Sequence, residues 1–219
     1  MGSKDAAPFD VGPGRDCALC PRLKSFRDAN RIAFPEWENA PVPSFGDPDA
    51  GLLIVGLAPG LRGANRTGRP FTGDFAGVLL YQTLVATGFA TGRYDARPDD
   101  GLNLVDCMIT NAVRCAPPGN KPLPAEEAAC RAFLVQRLAA LPRLRVIVTL
   151  GDVARRNVMR ALGLPASAGA PGHGSETSVS GYQLINSYHC SRLNTNTGRL
   201  TPVMFESIFD RARSILAAA

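Results

Sequence analysis

The chain has 219 residues, of which 45% are hydrophobic and 20% charged. These proportions exclude a collagen-like or wholly disordered chain and predict one domain, with at most an arm, able to bury its own core. Net charge is +5, and 21 of the 24 basic residues are arginine. Guanidinium forks pair with phosphates, so this bias suits an anionic partner, although arginine-rich codon usage explains it as simply.

No apolar run approaches the ~18 residues of a membrane span, and the N-terminus lacks the basic-then-apolar pattern of a secretory signal. Residues 1–14 read as a loose segment, and 35–50 as a connector with Pro35, Pro41, Pro43 and Pro48. This predicts an N-terminal arm over 1–50 and a domain over 51–219. Residues 51–57 form a continuous apolar run ending in Ala58-Pro59-Gly60, the pattern of a buried strand. Residues 74–87 have helical spacing, with Val78, Leu79, Leu80, Leu84 and Val85 on the expected apolar face. A second strand is predicted over 104–113. A helix is predicted over 124–141, opening with Pro124, Glu126 and Glu127 as a helix N-terminus prefers. The third strand covers 145–150 and runs through Gly151 into a helix capped by Asp152. The fourth covers 182–187, and the last helix covers 202–216 with Thr201 as cap. Alternating strands and helices predict an α/β domain with a mostly parallel, four-stranded central sheet flanked by helices. Ligands on such sheets bind beyond the carboxyl ends of the strands, which points to 56–74, 111–121, 151–152 and 187–200.

Six cysteines stand at 17, 20, 107, 115, 130 and 190. Without a secretory signal a disulfide framework is not expected. Cys17-Ala18-Leu19-Cys20 is a C-x-x-C pair, and Pro21 after it, rather than histidine, excludes covalent haem attachment. With Cys115 and Cys130 it makes four soft donors that suit zinc or an iron–sulfur cluster, the metal being undecided by spacing. The plain alternative is free thiols and buried packing. Cys107 reads as a mid-strand packing residue, whereas Cys190 competes as a ligand.

Gly56-Leu57-Ala58-Pro59-Gly60 leaves the first strand, and Gly63 to Gly68 have the glycine spacing of a phosphate loop. Arg69-Pro70 stands where Lys-Ser/Thr would be needed, which excludes an ATPase. Backbone N–H groups and arginine there suit a nucleic-acid phosphate, with a simple strand-exit turn as the alternative. Asp74 is a helix N-cap by default. A helix N-terminus also keeps a carboxylate ionised, so that it can position water or face a positive sugar centre. Asn111, near a strand end, must find partners, either in a nucleobase edge or in a neighbouring loop. His189 lies just past a strand and is equally a catalytic or a structural candidate, while His173, in Gly-His-Gly, reads as loop decoration. Leu193 is a single apolar tip between Arg192 and Arg199, the pattern of a wedge in a base-flipping loop.

Taken in order, these motifs resemble the iron–sulfur branch of the uracil-DNA glycosylase superfamily, from Cys17 to the last helix. The uracil-only family four carries an acid after the first glycine, where this chain has Leu57, which cannot activate water. Gly56-Leu57-Ala58-Pro59, Asn65-Arg66-Thr67-Gly68-Arg69 leading into Phe71-Thr72-Gly73-Asp74, and the closing run from His189 to Thr201 resemble the broader-specificity family five. Cys190 departs from the pattern, since proline usually follows the histidine.

The resemblance implies a three-layer sandwich and a structural 4Fe–4S cluster on Cys17, Cys20, Cys115 and Cys130. It implies that Gly56 to Gly60 cradle a flipped base, Phe71 stacks on it, and Asn111 reads its Watson–Crick edge. His189 would bind O2 of the departing uracil and Asp74 would act electrostatically or on water. Arg192 and Leu193 would fill the gap in the stack. The implied activity is a monofunctional DNA glycosylase of base-excision repair, removing uracil and other deaminated bases such as hypoxanthine. It would act as a cytoplasmic, nucleoid-associated monomer with DNA as partner. No lysine lies in a site motif, Lys121 being in a Pro-rich turn, so Schiff-base chemistry is not expected. The competing readings are a family four enzyme, a non-catalytic metal-containing nucleic-acid-binding protein, and an electron carrier, which the lack of a compact ferredoxin run disfavours.

Overall fold

The structure is a computed structural model and describes residues 11–218. The first helix, α1 (Pro21–Ala33), starts with proline at its first position, where the missing N–H costs nothing. A six-stranded sheet follows from β1 (Phe45–Gly46), β2 (Leu52–Gly56), β5 (Cys107–Asn111), β6 (Val146–Leu150), β7 (Glu176–Val179) and β8 (Tyr182–Ser187), in the order β1-β5-β2-β6-β8-β7. The four central strands are parallel and are the four that the apolar runs predict. The two edge strands are antiparallel additions. β1 is two residues long and lies within the Pro-rich connector, and β7 alternates exposed and half-buried residues, so neither carries a continuous apolar run. A separate two-stranded ladder joins β3 (Ala90–Thr91) to β4 (Asn103–Leu104). The predicted second strand therefore splits. Asp106 turns at φ 51, and its carboxylate accepts from Gly51 N at 2.7 Å.

Helices cover both faces. On one, α3 (Phe75–Ala86) and α7 (Pro202–Ala217) pack over Leu52, Ile54, Ile109 and Val148. On the other, α4 (Pro124–Ala139) and α5 (Asp152–Ala161) pack over Leu53, Val55, Met108 and Ile147. Every residue of β2, β5 and β6 is buried, as a sheet covered on both sides requires.

Three local expectations are corrected. α3 is apolar almost all round, and the face it buries is Ala76, Gly77, Leu80, Tyr81 and Leu84. Val78 and Val85 are exposed. The cap of α5 is Gly151 at φ 95, and Asp152 is the first helical residue, its carboxylate bound by Arg155 at 2.9 Å. The glycine spacing at 63–68 gives a one-turn helix, α2 (Ala64–Thr67), not a phosphate loop. Its carbonyls at Asn65 and Arg66 accept from Asn39 N and Glu38 N, both at 3.0 Å. Asn39 also accepts at Oδ1 from Asn65 Nδ2 at 2.9 Å and donates from Nδ2 to Phe34 O at 2.7 Å. This buried amide pair ties the end of α1 to the glycine-rich segment. Among the described residues no helix is long and apolar enough to cross a membrane.

Candidate active site

The carboxyl ends of β2 and β5 open into a cavity of about 670 Å³. Leu57, Ala58, Pro59, Gly60, Phe71, Asp74, Asn111 and His189 all line it. Four separate stretches of sequence thus meet at one concavity, at the place the parallel topology favours.

Gly56 is at the centre of this arrangement. A Cβ there would stand 2.4 Å from Asn111 Oδ1 and 2.7 Å from the Phe71 ring. Only glycine lets the amide and the ring approach the strand end together. Asn111 is buried, yet its Oδ1 has no hydrogen-bond partner among the described residues. A buried acceptor left unpaired costs about 1–3 kcal/mol, so such a group calls for a function.

Phe71 has φ 53, which favours glycine, and it is held there from behind. Tyr94 donates to its carbonyl at 3.2 Å, and Tyr81 donates to Pro70 O at 2.6 Å. Arg69, inside the same turn, is buried and forms two 2.8 Å bonds to Asp100. Its charge is therefore spent on scaffolding and does not face a phosphate. The strain of the Phe71 backbone is maintained by surroundings that leave it no alternative.

Asp74 caps α3, accepting at Oδ1 from Gly77 N at 3.1 Å. Burial pushes its carboxyl up from the ordinary range, while the Gly77 bond and His189 pull back. Burial pushes the imidazole of His189 down, against the attraction of Asp74. At neutral pH His189 is then a neutral ring with one N–H to offer. Phe71 and His189 lie 6.1 Å apart between centroids at a 32° tilt. The turn bearing His189 is fastened by Asn194 Nδ2, which donates to its carbonyl at 2.8 Å.

Leu193 is 72% exposed on α6 (Arg192–Asn196), a short helix that the sequence reads as loop. Arg192 lies over the ring of Phe75, 5.1 Å from its centroid. Neither side chain lines the cavity, although Ser191, next in the chain, does. Arg62, Ala76, Asn120 and Ser191 also line it and were not singled out from sequence. Asn120 carried one usable signal, as the third residue of Pro118-Gly119-Asn120, a turn in which Asn takes φ 57.

Cys17, Cys20, Cys115 and Cys130 line a second, small cavity, with Leu23, Val113 and Phe133 as apolar walls. Arg114 N donates to Cys130 Sγ at 3.3 Å, and Arg27 Nη1 to Cys115 Sγ at 3.5 Å. Among the described residues no three His, Cys, Asp or Glu side chains are placed to hold one metal ion. Cys107 and Cys190 are buried in the main core, away from this cavity. Cys190 therefore does not compete as a ligand.

The family model of the uracil DNA glycosylase superfamily matches residues 43–213. A type-5 uracil-DNA glycosylase of Thermus thermophilus is 45% identical over 206 residues, covering 91% of this chain and 93% of that protein. One of the same type from Pyrobaculum aerophilum is 40% identical, covering 90% and 88%. A type-4 uracil-DNA glycosylase from the latter organism is 33% identical and covers 68% of this chain and 62% of that protein.

Proposed function

This chain belongs to the uracil DNA glycosylase superfamily, and on that premise we propose that it is a monofunctional, type-5 uracil-DNA glycosylase that initiates base-excision repair. The observation that carries the reading is the unpaired Oδ1 of Asn111, buried beside Phe71 in a cavity that His189 and Asp74 also line. A flipped uracil offers N3–H to that acceptor and a flat face to the Phe71 ring. Cytosine has no proton at N3 to offer.

Hydrolysis breaks the bond between C1′ of deoxyribose and N1 of the base, and its electron pair leaves with the base. Negative charge grows on uracil O2, where the His189 N–H acts as donor. Positive charge grows on the sugar, which Asp74 and the DNA phosphates oppose. Water then gives its hydroxyl to C1′, and its proton goes to the departed base. A placed donor of the His189 kind is worth about 3–4 kcal/mol in oxyanion sites. Leu57 contributes no acid, so most of the rate enhancement comes from stabilising the leaving group. The cavity has room for a purine, which supports hypoxanthine as a further substrate. Exposed Leu193, with Arg192 beside it, occupies the gap left in the stack.

Cys17, Cys20, Cys115 and Cys130 fit a 4Fe–4S cluster. They offer four soft donors and apolar walls, and two N–H groups point at sulfur. A four-iron cluster spaces its ligands more widely than a single ion does. When bound it would clip the arm of residues 1–50 to the domain of 51–219, with no part in the reaction. Air-free protein should contain iron and acid-labile sulfide in equal amounts, whereas stoichiometric zinc would remove this part of the reading. The protein would work as a monomer on DNA in the cytoplasm.

The test is excision from a uracil duplex, read by alkali cleavage, beside the matching cytosine duplex. Uracil-specific release is expected, with His189→Ala losing about 100-fold or more in kcat at nearly unchanged DNA affinity. Binding without cleavage by the wild type would leave a non-catalytic DNA-binding protein instead.

A further inference from the structure

His173 lies in the loop before β7, away from the base cavity, and the site just described does not use it. The loop is held to β8 by Asn186. Asn186 Nδ2 donates to Ala170 O at 2.9 Å and to Ser175 Oγ at 2.8 Å, and its Oδ1 accepts from Thr149 Oγ1 at 2.7 Å. His173 reaches from this anchored loop to two other elements. Its Nε2 stands 3.1 Å from Met204 O, at the start of α7. A carbonyl only accepts, so Nε2 carries the proton. Its Nδ1 accepts from Tyr188 N at 3.2 Å, with Ser187 Oγ, which donates to Tyr188 O, a further 3.4 Å contact, and Tyr188 directly precedes His189. The ring also lies against that of Tyr188, 5.3 Å between centroids.

We propose that His173 is a positioning residue for His189, holding the turn that carries the site histidine, and that it does so only as a neutral imidazole with its proton on Nε2. Tyr188 N–H needs an acceptor, and a protonated His173 has none to give. Protonation would set two N–H groups against each other directly before His189. With Asn194 on the carbonyl of His189, the turn is pinned on both sides. Without the His173 pin, the imidazole of His189 loses a fixed approach to the base, and a misplacement of about 1 Å costs about 100-fold.

The surroundings keep the ring neutral. Burial pushes its pKa down, and only the Met204 bond opposes that. The charged groups on the elements packed around it are Glu176 on β7, paired with Arg211 on α7 at 2.8 Å, Glu206 and Asp210 on α7, and Arg199, which lies over the Tyr188 ring 4.4 Å from its centroid.

The inference rests on the proposed glycosylase activity, and two variants test it on full-length protein. His173→Ala removes the bonds to Met204 O and Tyr188 N and the longer contact with Ser187 Oγ. It should lose about 10- to 100-fold in kcat with KM nearly unchanged. His173→Asn keeps an acceptor near the Nδ1 position and does not titrate. At pH 8 it should stay within about fivefold of wild type, the factor one net hydrogen bond carries. The ratio of His173→Asn to wild-type kcat should then rise as pH falls, because only the wild type loses its acceptor. His189 and Asp74 titrate in both proteins and cancel in the ratio. A ratio flat with pH, or His173→Ala turning over like wild type, would overturn the inference. Should His173→Ala fail to fold, the pH ratio of His173→Asn decides alone. If the wild type fails to release uracil, the proposed function falls, and the inference with it. If it releases uracil and the ratio is flat, only the inference falls.

Discussion

Substituting Gly56 by alanine is the most direct test of how the pocket is built. The added Cβ would lie 2.4 Å from Asn111 Oδ1 and 2.7 Å from the Phe71 ring, where ordinary contact begins at 3.4 Å, so the shortfalls are about 1.0 and 0.7 Å. Neither neighbour can yield freely. Asn111 ends a fully buried strand, and Phe71 is locked by Tyr94, Tyr81 and the Arg69–Asp100 pair. Overpacking of this kind costs about 1–3 kcal/mol of stability. In a protein of this size that lowers Tm by roughly 2–4 °C per kcal/mol. The catalytic cost should be larger than the stability loss suggests. A displacement near 1 Å in a positioning group takes about 100-fold from the rate, or about 2.7 kcal/mol of barrier. Single-turnover excision from a uracil duplex measures it, with thermal unfolding beside it. Gly60→Ala is the control, because its Cβ comes only within 3.2 Å of Asp74 Oδ2, a far milder contact. If folded Gly56→Ala excises at the wild-type rate, or loses no more than Gly60→Ala, the Asn111–Phe71 geometry is not what grips the base.

Asp74→Asn keeps the Oδ1 acceptor for Gly77 and removes the charge. Burial raises the folded-state pKa above the unfolded value, so the ionised group costs stability at neutral pH, and that cost vanishes as pH falls through the carboxylate range. The variant should melt no earlier than wild type at pH 7, with any advantage fading in acid, while excision drops by about 100-fold; lost stability with full activity would leave Asp74 as a cap alone. Asp100→Asn strands a buried guanidinium, so urea unfolding should show a loss of about 3–5 kcal/mol; a loss below about 1 kcal/mol would mean Arg69 finds another partner. Leu193→Ala should leave stability within about 0.5 kcal/mol and slow excision from duplex far more than from single strands, and equal slowing on both would contradict the wedge.

The parallel core was readable because its strands carry short apolar runs spaced by helical segments, with glycine at the exits of β2 and β6. The edge strands were not, since pairing geometry rather than sequence pattern makes Phe45–Gly46 and Glu176–Val179 strands. The α1 helix was missed although Pro21 after a C-x-x-C was a usable sign of a helix start. The meeting of Asn111 and His189 followed from their places at or just past strand ends, and that of Phe71 and Asp74 from the segment that leaves β2 and leads into α3. What braces them did not. The Arg69–Asp100 pair spans 31 residues and His173 reaches Met204 across another 31. Neither distance leaves a local signature. The mistake over Val78 and Val85 has the same origin, because a helix apolar on every side does not say which face the sheet will take.

The amide pair of Asn39 and Asn65 gives the molecule a mechanical consequence. Cys20 precedes α1, α1 ends beside Asn39, and Asn39 grips the turn leading into the base pocket. The cysteine-bearing segment and the glycine-rich segment of the pocket are thereby joined through two short amide links.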